Sequence, residues 1–241
     1  MLLHEITGAY ACSHLAQCQL WLSRYANVVA SVTFAAMSFR VAVAASGGGS
    51  NLGALLDAFP PHSGSPVEIA LVLGNRPEAG ALERARARGV PVQLLADPDS
   101  ADEWIAALRA ASADLLVLAG YLRLVPAGVI AAYAGQVINI HPALLPDFGG
   151  PGMYGLRVHR AVLKSGARRS GASVHLVDEA YDRGALLARV FVPVAEGDTP
   201  ERLAARVLAA EHRLLPAVVA AAARAGQPVP LDDNTVVEMT S

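Results

Sequence analysis

From residue 40 onward the chain alternates two textures. Residues 40–45, 67–73, 90–95, 115–118 and 137–140 are short, largely apolar runs bounded by turn residues. Strands buried on both faces read this way, because helices cover both sides of a parallel sheet. Between them, residues 51–59, 78–88 and 101–111 mix apolar and polar positions over longer stretches and predict helices. Strand alternating with helix implies right-handed crossovers and a doubly wound, mostly parallel α/β sheet.

The second half changes character. A Gly/Pro-rich loop runs over 142–155, and a helix is predicted over 156–164. Residues 171–177 and 185–194 read as two more strands joined by the acidic segment 178–184, which makes the C-terminal part of the sheet mixed. A last helix is expected from Thr199 to about Arg224, with Thr199 as N-cap and Pro200 at the first helical position. Residues 1–36 show neither a period of two nor one of 3.6. The reading divides the chain into a disordered or mis-annotated extension, 1–36, and a single domain, 37–241, with Met37 as the native initiator.

Composition narrows the function classes. At 54% apolar and 17% charged residues, the 241-residue chain can bury a sizeable core. A net charge of −2 without a basic run disfavours a nucleic-acid partner. Cys12 and Cys18 form neither a disulfide framework nor a zinc pattern, so a reducing, cytoplasmic compartment and no metal are expected. The apolar runs are too short to span a bilayer, and no basic region precedes residues 28–39 as in a signal peptide.

Two stretches carry chemistry. Ser46-Gly47-Gly48-Gly49-Ser50-Asn51 joins the first strand to the first helix. Glycines let backbone approach a ligand closely, and free N–H groups at a helix start favour an anion. Ser50 and Asn51 can cap the helix or donate to a phosphate; a plain strand–helix turn fits the same residues. Neither a Gly-Lys-Ser/Thr ending nor a dinucleotide fingerprint is present, since Gly74-Asn75-Arg76 stands where the second strand would end in an acidic residue. The second stretch is Asn139-Ile140-His141-Pro142. Period two puts Asn139 and His141 on one face at the carboxyl end of a strand, where α/β proteins bind ligands. Asn can donate to an oxyanion, and His can donate or shuttle a proton.

Asn139-Ile-His141-Pro142-Ala-Leu-Leu-Pro146 resembles the signature of the folate-dependent formyltransferases, and Ser46–Leu52 resembles the phosphate loop of their phosphoribosylglycinamide branch. Leu118–Arg123, Gly171–His175, Asp178–Gly184 and Glu211-His212 extend the resemblance in order. It implies the Rossmann-like formyltransferase fold and transfer of a formyl group from 10-formyltetrahydrofolate to the amine of glycinamide ribonucleotide in purine (IMP) synthesis. Asn139, His141 and Asp182 become the catalytic set, with Asp182 favouring a charged His141. Gly49, Ser50 and Asn51 would take the substrate phosphate, and Glu211 the amine. Leu122, Arg123, Leu124, Val125, Asn139, Asp178, Glu179, Ala180, Tyr181 and Asp182 would line the folate site. The expected partners are these small molecules, without nucleic acid or membrane, in a monomer or homodimer.

Departures from the family pattern are Arg183 in place of a glycine after Asp182, a shortened 97–102 region with no counterpart of a folate-contacting Arg, and a longer glycine-rich loop over 148–155 able to act as a lid. His159 and His175 are expected to support the site rather than to act in it. The alternatives are a formyltetrahydrofolate hydrolase, a methionyl-tRNA formyltransferase (which would need a nucleic-acid-binding domain), an NADP-dependent reductase, and a non-catalytic phosphosugar-binding protein.

Overall fold

The computed structural model describes residues 38–231 except Ala180. The expectation for residues 1–36 lies outside the described residues. Seven strands form one sheet: β1 (Phe39–Ala45), β2 (Val67–Gly74), β3 (Val92–Leu94), β4 (Leu115–Leu118), β5 (Val137–His141), β6 (Arg169–Leu176) and β7 (Leu186–Pro193). Six helices accompany them: α1 (Ser50–Ala58), α2 (Gly80–Ala87), α3 (Ala101–Ala110), α4 (Ala127–Ala132), α5 (Leu156–Ser165) and α6 (Pro200–Ala225). The sheet order is β3-β2-β1-β4-β5-β6-β7. Every pairing from β3 to β5 is parallel; β6 and β7 are antiparallel.

Strand periodicity divides the core. Val41, Val43 and Ala45 join one buried cluster with α1, α2 and α6, while Ala42 and Ala44 join another with α3 and α4. Both faces of β1 are therefore covered, which is why its sequence is apolar without alternation from Val41 to Ala45. The longest helix, α6, inserts Leu203, Val207, Leu214, Leu215, Val218 and Val219 into the first cluster. Each such side chain contributes about 1.5–3 kcal/mol of burial, enough to seat the helix firmly. Thr199 caps it as expected, its Oγ1 accepting from Arg202 N at 3.3 Å.

The differences from expectation are local. Helix α4 was not expected; it has six residues, opens at Pro126 and stops at Tyr133, too short for a helical period to register. The predicted strand at 90–95 contracts to Val92–Leu94, an edge strand paired only with β2.

Candidate active site

The strand order reverses between β1 and β4, since β1 leads outward to β2 on one side and β4 leads to β5 on the other. Such a switch point opens a crevice at the carboxyl ends of the strands. The loops after β1, β4 and β5 line a cleft of about 520 Å³, which reaches the 150–155 loop and α6.

One end of the cleft is backbone. Gly49 precedes α1 with φ 71° and ψ 37°, and no side chain caps the helix. The capping role open to Ser50 or Asn51 is thus not taken, because a left-handed glycine leads directly into the first turn. A Cβ at Gly49 would lie 2.7 Å from Ala81 Cα, so this position admits only glycine without a shift of α2. The N–H groups of residues 47–51 meet no backbone acceptor among the described residues. Asn51 turns its side chain to α6 instead, where Nδ2 donates to Glu211 Oε2 at 3.0 Å while Oδ1 has no partner among the described residues. Glu211 is 5% exposed, and burial pushes its carboxyl up to about 7 against the Asn51 hydrogen bond.

The other end is built from side chains. His141 Nε2 lies 2.7 Å from the Phe148 carbonyl; a carbonyl only accepts, so this nitrogen carries the hydrogen. His141 Nδ1 faces Asp182 Oδ2 at 3.5 Å. Asn139 Nδ2 lies 3.1 Å from His175 Nε2 and donates to Asp182 Oδ1 at 3.4 Å. His175 Nδ1 donates to the Leu176 carbonyl at 2.7 Å, which leaves its Nε2 turned toward Asn139 and Asp182. Asp182 itself sits at φ 54° and accepts from Gly150 N at 2.9 Å. Gly149 makes that approach possible, since a Cβ there would stand 2.9 Å from Asp182 Cβ.

The electrostatics are a contest. Burial holds the His141 ring below the usual imidazole range; Asp182 and the Phe148 carbonyl oppose it, and His175 adds to it. Asp182 therefore favours the imidazolium, as its position in the sequence suggests, but desolvation outweighs it. For Asp182, burial raises the carboxyl, yet the His175 hydrogen bond, the His141 charge and the Gly150 N–H together hold it below the usual carboxylate range. Burial likewise lowers His159, assisted by His141; its Nδ1 is buried without a partner among the described residues.

A third wall follows β4. Ser46 N donates to Gly120 O at 3.1 Å and Leu122 N donates to Ser46 Oγ at 3.0 Å, tying the loops after β1 and β4 together. Leu122 and Leu124 stand 46% and 49% exposed beside the cleft, an apolar ledge without a protein cover. Arg123 lines the cleft and pairs with Asp99 at 2.6 Å in the open. Val125, Asp178 and Tyr181 also line it, Glu179 is exposed and does not, and Ala180 lies outside the described residues.

The formyl transferase family profile matches residues 39–219. The chain belongs to that family. It is 43% identical over 189 residues to the chloroplastic phosphoribosylglycinamide formyltransferase of Arabidopsis thaliana, covering 76% of this chain and 64% of that protein. It is 35% identical over 185 residues to the phosphoribosylglycinamide formyltransferase of Escherichia coli K12, covering 74% of this chain and 84% of that one. The chain thus spans less than two thirds of the plant relative's length. Among solved structures, the phosphoribosylglycinamide formyltransferase from Anaplasma phagocytophilum superimposes with a TM-score of 0.73 at 35% identity, over 84% of this chain and 94% of that chain. The Brucella melitensis one gives 0.68 at 41% identity, over 81% and 99%. The mixed sheet described above is the architecture of these formyltransferases, as the resemblance in the sequence implied.

A supporting role for His175 was expected, but the partners in four contacts of this formyl transferase family member escape a reading of its sequence. His175 reaches both Asn139 and Asp182 because β5 and β6 run antiparallel with Asn139 opposite His175. The Phe148 carbonyl and Gly150 N–H are backbone groups, to which residue identity gives no signal. Among the described residues, no group of three or more His, Cys, Asp or Glu is placed to hold a metal ion, and no helix is long and apolar enough to cross a membrane.

Proposed function

We propose that this chain transfers the formyl group of 10-formyltetrahydrofolate to the amine of glycinamide ribonucleotide in purine synthesis. The observation that carries the reading is one cleft that holds both the loop 47–51, whose N–H groups meet no backbone acceptor among the described residues, and the Asn139–His141–Asp182 set, in which His141 is buried. The names of the relatives support the acceptor, and membership of the family supports a folate-type donor.

The residues divide the chemistry as follows. The N–H groups of residues 47–51 take the phosphate, assisted by the positive end of α1. Glu211 receives the amine end; with its carboxyl pushed up to about 7, it responds to an arriving cation by ionising. The folate ring system lies along Leu122 to Val125 and beside Asp178 to Asp182. As the amine adds to the formyl carbon, the formyl oxygen becomes negative. Asn139 Nδ2 donates to it, joined by the His141 Nε2–H once that hydrogen leaves the Phe148 carbonyl and more strongly as imidazolium, and an oxyanion donor of this kind is typically worth about 3–4 kcal/mol of barrier. The adding amine must lose a proton and the departing folate nitrogen must gain one. His141 with Asp182 moves it, through water where direct reach fails. No covalent intermediate on the protein is required.

The test follows the folate absorbance of purified protein with 10-formyltetrahydrofolate, with and without glycinamide ribonucleotide. Donor loss that depends on the ribonucleotide supports the transferase. Donor loss without acceptor assigns a hydrolase, and phosphosugar binding without turnover assigns a binding protein.

A further inference from the structure

The glycine loop is gripped from behind. Ala81 N, at the start of α2, donates to the Gly47 carbonyl at 3.0 Å. Arg84 Nε, one turn later on α2, donates to the Gly48 carbonyl at 2.7 Å. Gly49 O accepts from Gly53 N at 2.9 Å within α1. Each carbonyl of the triple-glycine segment is therefore occupied, whereas the N–H groups of residues 47–51 meet no backbone acceptor among the described residues.

A trans peptide is planar, with C=O and N–H pointing in opposite directions. Pulling the Gly48 oxygen back toward α2 therefore aims the Gly49 N–H forward. No side chain at Gly48 or Gly49 restricts this plane. Left to itself, a run of glycines turns its peptide planes at little cost. A turned plane would present a carbonyl oxygen, and hence partial negative charge, to an anion. The Arg84 hydrogen bond removes that freedom.

We propose that Arg84 is a positioning residue for the phosphate end of the site: its guanidinium clamps the Gly48 carbonyl, orients the Gly48–Gly49 peptide toward the ligand, and adds a positive charge behind the loop. Arg84 does not line the cleft, so it acts through the backbone rather than by touching the ligand. Its Nη1 lies 3.8 Å from the position a Cβ of Gly53 would take, over the first turn of α1. The proposal rests on the reading of the glycine loop as a phosphate site.

The experiment uses the full chain and ribose 5-phosphate, measured by calorimetry, alongside steady-state kinetics. Arg84→Met is expected to weaken ribose 5-phosphate about tenfold, the loss of one charge-assisted hydrogen bond. Its KM for glycinamide ribonucleotide rises in step, while kcat, KM for the folate and the melting temperature stay near wild type. Arg84→Lys restores part of the loss, and turnover of the unphosphorylated nucleoside does not change. Unaltered ribose 5-phosphate binding in Arg84→Met overturns the proposal. So does a loss shared equally by folate affinity and melting temperature, which would mark a structural role, or a wild type that binds no ribose 5-phosphate. Arg84-dependent binding by a protein that transfers no formyl group would leave the proposal standing and remove the transferase reading.

Discussion

The two ends of the cleft are built from different parts of the chain. The Gly47–Asn51 end offers backbone N–H groups whose direction depends on φ 71° at Gly49 and on carbonyls tied to α2. The Asn139–His141–Asp182 end offers buried or half-buried side chains, interlinked directly or through His175 at 3.1–3.5 Å. A phosphate keeps its charge throughout a reaction, so a permanent partial positive charge suffices for it. A formyl transfer also moves a proton, and of the two ends only the side-chain end carries groups, His141 and Asp182, that can exchange one. The difference teaches that mutation should separate binding from turnover along the length of one cleft.

The sharpest test of that separation is His141→Ala. Turnover is expected to fall about 10³-fold with loss of the donor and proton carrier, while ribose 5-phosphate affinity measured by calorimetry stays within about twofold. An equal fall in both would erase the contrast between the ends. Asp182→Asn should cost about 10²-fold in kcat. The carboxylate raises the His141 pKa against burial, so removing it lowers that pKa further. Because imidazolium is lost as pH rises through its pKa, the alkaline limb of the kcat–pH profile should move to lower pH; a stationary limb would detach Asp182 from His141.

At the backbone end, Gly49→Ala meets Ala81 at 2.7 Å and must hold φ 71°. It should weaken ribose 5-phosphate about 30-fold and cost about 1–3 kcal/mol in a denaturant melt. Gly48→Ala, which meets nothing within 4 Å, should change binding by less than about threefold. Similar losses for the two would show that loop geometry is not what the ligand reads.

The smallest effect concerns Glu211, whose carboxyl rises from 4.5 to about 7 on folding. Between those values the folded chain binds more protons than the unfolded one, so stability falls as pH rises from 4.5 toward 7. Glu211→Gln should flatten that slope and be more stable than wild type at pH 8 by ~1–2 kcal/mol in denaturant melts. An unchanged slope would place the proton elsewhere.

Much of this was legible in the sequence, for identifiable reasons. Strands such as β1 and β4 show because burial on both faces leaves an apolar signal, whereas the half-buried edge strand β3 shows only in part. Asn139 and His141 show because period two is local. What did not show depends on register or on distance along the chain. A supporting role for His175 was expected, but its partners became visible only when β6 set it against Asn139. Arg84 reads as a solvated arginine of an amphipathic helix until the Gly48 carbonyl arrives beneath it. Asn51 resembles a cap or a phosphate donor, and only the packing of α6 reveals that its amide is given to Glu211.

That last contact joins residues 160 positions apart. During synthesis, the loop after β1 emerges well before the carboxylate facing it, which belongs to α6. A ribosome-bound fragment ending before α6 lacks Glu211 and the packing that supports α1. Until α6 emerges, the Asn51 amide has no carboxylate to meet, so the loop after β1 takes up its final packing only once that helix has docked.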